Sequence, residues 1–289
     1  MSDRLEIRKT YKLFIGGAFP RSESGRTYEV RSAAGSQFLA NAARGSRKDA
    51  RDAVRAARAA WPGWSAATAY NRGQILYRIA EMLEGRRGQF VGEVGVGEGL
   101  ADAHAEAVVD AAIDRWVWYA GWADKIAQVV GSANAVAGPY FDFSLPEPTG
   151  VVAIVAPQES SLLGLASVVA PAIVTGNAVV VLASETRPLP AITLAEVLAT
   201  SDLPAGVVNV LTGSVAEVAP WLAAHLDVNA IDLTGATAAR AAELEIAAAD
   251  NLKRVRRPES HEPDWRREPE LARLTWLLEL KTVWHPLGV

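Results

Sequence analysis

The sequence predicts an α/β fold: an open parallel sheet flanked by helices. Three observations predict it. Apolar runs rich in Val and Ile recur at 150–156, 178–182 and 206–211, a density that suits strands buried on both faces. The segments between them have helical character and are long enough for right-handed crossovers. A fourth run at 230–233 follows a helix-like segment at 215–225 and precedes an alanine-rich one at 234–249, so the alternation continues.

The preceding residues supply the remaining layers. KLFIGGAFPRSESGRTYEV alternates apolar and polar residues around Gly16-Gly17 and Ser24-Gly25-Arg26, which predicts a small surface hairpin. Ser46 with Asp49 three residues on forms a capping-box start, and Ala50, Val54, Ala57 and Trp61 make one apolar helix face, expected to stop at Pro62-Gly63. A second helix at 71–90 keeps the 3.6 period through Ile75, Leu76, Ile79, Met82 and Leu83. The glycine-rich 92–100 follows a helix, and Leu100 stands where a phosphate loop needs its last glycine, so a helix-linking turn is expected. A long helix at 101–128 carries Trp116, Trp118 and Trp122, aromatics expected in the core or a subunit interface. YFDFSLPEP, within 129–148, alternates as a strand that needs a neighbour. Past Asn251 the chain turns charged and proline-bearing, as a linker or extended arm would, and it ends in strand-like LLELKTVWHPLGV.

Composition excludes several function classes. Half of the 289 residues are apolar and net charge is −4 with no basic face, which argues for a globular chain and against nucleic acid as partner. The first residues, MSDRLEIRKTYK, carry no charged-then-apolar leader, and Pro157, Gly164, Pro171 and Gly176 break the most apolar region, so a cytoplasmic protein without a membrane span is expected. There is no cysteine, which removes disulfides, thiolate metal sites and thiol nucleophiles together. His104, His225, His261 and His285 lack ligand spacing, so no metal is expected.

LFIGGAF, SGRTYEV, WPGWSAATAYNRGQILYRIAEMLE, AIDRWVWYAGWADKI, PTGVVAIVAP, APAIVTGNAVVV, LPAGVVNVLTG, LTGAT and NLKRV appear in this order. Together they resemble the aldehyde dehydrogenase superfamily over about residues 13–255. The resemblance implies a Rossmann-like cofactor domain interrupted by an oligomerisation hairpin. It divides the chain into an N-terminal hairpin and helices at 1–128, the oligomerisation hairpin at 129–148 and the Rossmann-like core of the same domain at 149–255. A polar connector at 256–277 then stands in place of the catalytic domain, and 278–289 forms a C-terminal oligomerisation strand.

The departures from that family matter as much. Its catalytic domain carries a cysteine nucleophile and a glutamate in a segment of the type LELGG; here no cysteine exists and the segment reads Arg256-Arg257-Pro258-Glu259-Ser260. The family's oxyanion asparagine is replaced within Pro157-Gln158-Glu159-Ser160-Ser161, where Glu159 would repel a developing oxyanion. Its ribose-binding lysine is Leu182, which cannot donate a hydrogen bond, while the accompanying glutamate is kept as Glu185. The serine of its phosphate turn is Ala236, and Ala238 and Ala239 stand near where a glycine is expected; Thr234, Gly235 and Thr237 remain. Pro157, Glu185, Thr234 and Gly235 are thus the candidate cofactor-binding residues of a relic site. Two readings compete for it: backbone N–H groups beyond Gly235 present themselves to a pyrophosphate, or Thr234 merely caps a helix and Gly235 permits a turn. The joint loss of lysine, serine and glycine favours the second.

The expected function is a catalytically inactive aldehyde dehydrogenase-like subunit. It would assemble with and support a full-length catalytic aldehyde dehydrogenase through the 129–148 hairpin and the 278–284 strand. The alternatives are an NAD(P)-binding oxidoreductase of the family, with Glu159 and Glu185 its only attractive carboxylates, or a dinucleotide-binding sensor without turnover. No resident cofactor is expected, NAD being the candidate at the degenerate site.

Overall fold

In the computed structural model, which describes residues 9–288, the first strands depart from the expected hairpin. β1 (Thr10–Tyr11), β2 (Thr27–Arg31) and β3 (Phe38–Ala43) form a small sheet in the order β1-β3-β2. The central strand, FLANAA, holds no β-branched residue and two of its types are poor strand formers, so propensity hides it. The tight turn at Gly16-Gly17 is real: both residues have positive φ, and Ile15 and Ala18 exchange backbone hydrogen bonds of 2.9 and 3.1 Å.

The capping box of α1 (Arg47–Ala66) is present, with Asp49 and Ser46 each bonding the other's backbone N–H. The helix continues through Pro62 rather than ending there, because Trp64 is buried beyond it and donates its indole N–H to the Ile173 carbonyl at 2.9 Å. The second predicted helix is two, α2 (Ala69–Glu84) and α3 (Arg87–Glu98), parted at Gly85-Arg86. α3 absorbs the glycine-rich stretch expected to be a turn. Phe90 and Val94, one helical turn apart and both fully buried, anchor it against glycine's low propensity. Gly99, in the left-handed region, ends it. α4 (Asp102–Ala120) stops earlier than predicted, at Gly121, and a short α5 (Ile126–Val130) follows. Trp116 is fully buried, and Trp118 and Trp122 pack against the same core at 5.6 Å from one another.

β4 (Ser132–Asn134) and β5 (Tyr140–Pro148) then pair antiparallel. The central alternation follows as β6 (Val151–Val155), α6 (Leu163–Val174), β7 (Ala178–Leu182), α7 (Leu189–Leu198), β8 (Val208–Leu211), α8 (Val215–Ala224), β9 (Ala230–Asp232), α9 (Ala238–Ala249) and β10 (Arg254–Arg256). These strands form a parallel sheet in the order β10-β9-β6-β7-β8, and every residue of β6 to β9 is buried, as the apolar runs require. Residues 257–277 are no extended arm: they lead through a short α10 (Ala272–Thr275) and bury Trp265, Arg273, Leu274 and Leu277. β11 (Leu278–Pro286) pairs antiparallel with β5 from Leu278–Pro148 to Pro286–Tyr140, completing a sheet β11-β5-β4. Among the described residues no helix is long and apolar enough to cross a membrane.

Asn177 joins the two sheets. Its side-chain oxygen accepts from the Gly150 N–H at 2.7 Å, and its amide donates to Thr175 Oγ1 at 2.8 Å and to the Leu277 carbonyl at 3.1 Å. Asn177→Ala would leave the Gly150 N–H and the Thr175 and Leu277 acceptors without this partner inside the protein. It should cost on the order of 2–3 kcal/mol in denaturant unfolding, with an unchanged m-value.

Candidate functional site

An open parallel sheet presents its ligand crevice at the carboxyl ends of its strands, where strand order reverses. Here β7 and β8 lie on one side of β6 and β9 and β10 on the other, so that point falls between β6 and β9. All four predicted residues lie at this edge: Pro157 after β6, Glu185 after β7, and Thr234 and Gly235 after β9. Leu182 ends β7 beside Val155 and Leu211 and is wholly buried, so its side chain belongs to the core and offers nothing to a ribose.

The polar groups of this edge are used within the chain. Pro157 is buried, and the amides of Gln158, Glu159 and Ser160 donate to the Glu262 carboxylate at 3.0, 2.9 and 2.9 Å. Glu98 Oε1 accepts from both the N–H and the hydroxyl of Ser161 at 2.7 Å. Glu159 does not aim at the amides; its exposed carboxylate pairs with Arg187 at 2.6 Å, and Arg187 also donates to the Glu159 carbonyl. Glu185 caps α8, accepting from the Val215 N–H at 3.0 Å, while its own N–H donates to Gln158 Oε1 at 3.0 Å.

On the β9 side, Thr234 caps no helix. Its N–H donates to Asp232 Oδ1 at 2.9 Å and its hydroxyl bonds the same oxygen, while Thr237 caps α9 by accepting from the Arg240 N–H. The Gly235 N–H donates to the Val155 carbonyl at 3.0 Å, and the Ala236 N–H to the Leu233 carbonyl at 2.8 Å. Gly235 is required by close approach: a Cβ there would stand 1.8 Å from the Ala156 carbonyl oxygen.

Three side chains that sequence reasoning missed complete the edge, all from 257–277. Glu262 fills the amide nest. Arg273, buried, lies 3.3 Å from Asp232 Oδ2 and stacks over Trp265 at 4.7 Å, and Trp265 donates its indole N–H to Glu262 at 3.0 Å. Burial pushes the Arg273 pKa down and Asp232 opposes that shift. Trp265 in a charged stretch and the apolar residues Leu271, Leu274 and Leu277 were the local signals that this segment packs. A cavity of about 740 Å³, lined in part by Arg47, Arg51, Trp221 and Asp227, includes none of the strand-end residues. Among the described residues no acidic, histidine or cysteine cluster forms a metal site.

Two glycines of this region should respond to alanine in opposite directions. Gly235→Ala should destabilise the chain by on the order of 3 kcal/mol in denaturation. Gly97→Ala, inside α3 with open space around it, should stabilise it by about 0.5–1 kcal/mol. Glu98 should give the edge a pH dependence, because burial holds its carboxyl above the usual carboxylate range. The folded chain binds that proton more readily than the unfolded one, so the contribution is present at acid pH and is lost as pH rises through the raised value. The unfolding free energy of wild type minus that of Glu98→Gln should therefore increase as pH falls through the raised value.

The aldehyde dehydrogenase family profile matches residues 19–257. An aldehyde dehydrogenase, cytosolic 1, from Elephantulus edwardii is 32% identical over 255 residues, and human retinal dehydrogenase 2 is 33% identical over 255. Each alignment takes in 87% of this chain but 50% and 48% of those proteins, so the chain spans about half the length of these curated relatives. A Bacillus cereus aldehyde dehydrogenase in complex with NAD+ superposes with a TM-score of 0.81 at 26% identity, covering 86% of this chain and 50% of that one. HpcC from Thermus thermophilus superposes with a TM-score of 0.80 at 31% identity, covering 86% and 47%.

Proposed function

The chain belongs to the aldehyde dehydrogenase family, and we propose that within it the protein is a non-catalytic subunit that assembles with a full-length, cysteine-bearing aldehyde dehydrogenase. The observation that carries this reading is the β11-β5-β4 sheet. β11 returns to β5 in unbroken register although 256–277 hold no catalytic domain, and its other edge pairs with no strand among the described residues. Tyr140, Leu280 and Trp284 are exposed on one face of that sheet, and Phe141 and Leu145 on the other. A long unpaired edge with exposed aromatic and aliphatic side chains on both faces calls for a covering partner.

The chemistry supports the same reading. Aldehyde oxidation in this family needs a thiolate, and the chain has no cysteine. The strand-end residues as placed do not fit a dinucleotide: the Gln158–Ser160 amides hold Glu262, the Gly235 amide bonds Val155, and Leu182 lies in the core. The alternatives, an NAD(P)-binding oxidoreductase or a dinucleotide sensor, draw on the retained Glu185 and on the NAD+ complex of the B. cereus relative. Calorimetric heat on titrating the chain with NAD or NADP would favour one of them. In the proposed reading the assembly resides in the cytoplasm, as the cytosolic relative suggests.

Co-expressed with a tagged, cysteine-bearing family member, the chain should co-elute in a complex of defined mass. Leu280→Asp with Trp284→Asp should weaken that complex by about tenfold or more, because both side chains would lie at its centre. Trp284 also meets the Tyr140 ring edge-on at 5.6 Å and stands opposite Asp142, so the variant's own thermal midpoint should fall by a few degrees, and the complex is compared where the variant remains folded. Elution of the wild-type chain at its monomer mass across all partner ratios would sink the proposal.

A further inference from the structure

Residues 257–277 meet both walls of the crevice between β6 and β9. On the β6 wall the Glu262 carboxylate gathers the Gln158, Glu159 and Ser160 amides. On the β9 wall Arg273 engages Asp232 and, at 3.5 Å, Thr234 Oγ1. The two anchors form one unit, because Trp265 bonds Glu262 through its indole N–H and supports the Arg273 guanidinium on its ring. From α4, buried Arg115 then fastens the segment by donating to the Trp265 and Arg267 carbonyls at 2.7 and 2.9 Å.

Successive backbone amides converging on one point form an anion-binding nest, which accepts a carboxylate or a phosphate by the same chemistry. Here the anion comes from the chain itself, about a hundred residues downstream of the amides it satisfies. The neighbouring acids do not compete for that position, since Glu98 is engaged by Ser161 and Glu159 by Arg187.

We propose that residues 257–277 are an internal plug, in which Glu262 stands in for the anionic group of a ligand at the Gln158–Ser160 amides and keeps the crevice closed. Closure is by occupancy: the amides that would meet a ligand's phosphate or carboxylate are already paired. The proposal does not depend on what the β11-β5-β4 sheet docks on.

The test uses the full chain with Glu262→Ala, titrated with formate and with inorganic pyrophosphate at matched ionic strength. The variant should melt below wild type, regain stability in formate, and bind either anion at least about tenfold more tightly than wild type, which offers no free nest. In hydrogen exchange the Gln158, Glu159 and Ser160 amides should be protected in wild type, open in the variant and protected again in formate. Equal anion responses from the two proteins, or amide protection untouched by the substitution, would overturn the plug. Should Glu262→Ala not yield folded protein, Glu262→Gln serves: it keeps the side chain's size but removes the charge, and the same amides should lose protection, unchanged protection overturning the proposal. Assembly is no readout here, so either proposal can fail without the other.

Discussion

A parallel sheet buried on both faces satisfies its backbone internally along its length, and at its carboxyl edge loops and helix starts leave amides to be claimed. What claims them decides what such a domain can do. In this chain Glu262, Glu98, Glu185 and the Val155 carbonyl take the amides of three different loops, those after β6, β8 and β9. The edge that would receive a ligand has become a joint between the sheet and the segment that follows β10.

That joint is polar yet well compensated. Arg273 and Asp232 are both buried, and such a pair gains little over an apolar packing of the same shape. Its value lies in position: it seats α10 over the end of β9, as Glu262 seats the loop over β6. Each anchor alone is a handful of hydrogen bonds, but Trp265 ties them together, so the segment has one seat rather than several near-equivalent ones.

Much of this architecture was legible in the residues, and the illegible parts share a cause. The Ser46–Asp49 box, the apolar runs of the central strands and the Gly16-Gly17 turn are local signals, complete within a few residues. β3 and α3 are decided by burial against distant elements, which overrode poor strand propensity in FLANAA and helix-breaking glycines around Val94. The candidate site divides the same way. The family resemblance singled out Pro157, Glu185, Thr234 and Gly235, which the strand order brings to one edge, whereas the partners that meet that edge, Glu262 and Arg273, come from a proline-bearing stretch without periodicity. No spacing rule links a carboxylate to amides in another part of the chain.

Arg254, in β10, shows how such a segment can vary. Its guanidinium donates to the Trp276 carbonyl at 3.0 Å and grips Glu279 with two bonds of 2.6 and 2.7 Å, so the exit of the parallel sheet and the root of β11 lie side by side. Two chain ends held this close define an insertion point: what is spliced between them can range from a short loop to a whole domain, and lengthening it costs closure entropy that grows only slowly. The residues between Arg254 and Glu279 can therefore change length without disturbing the register of either sheet.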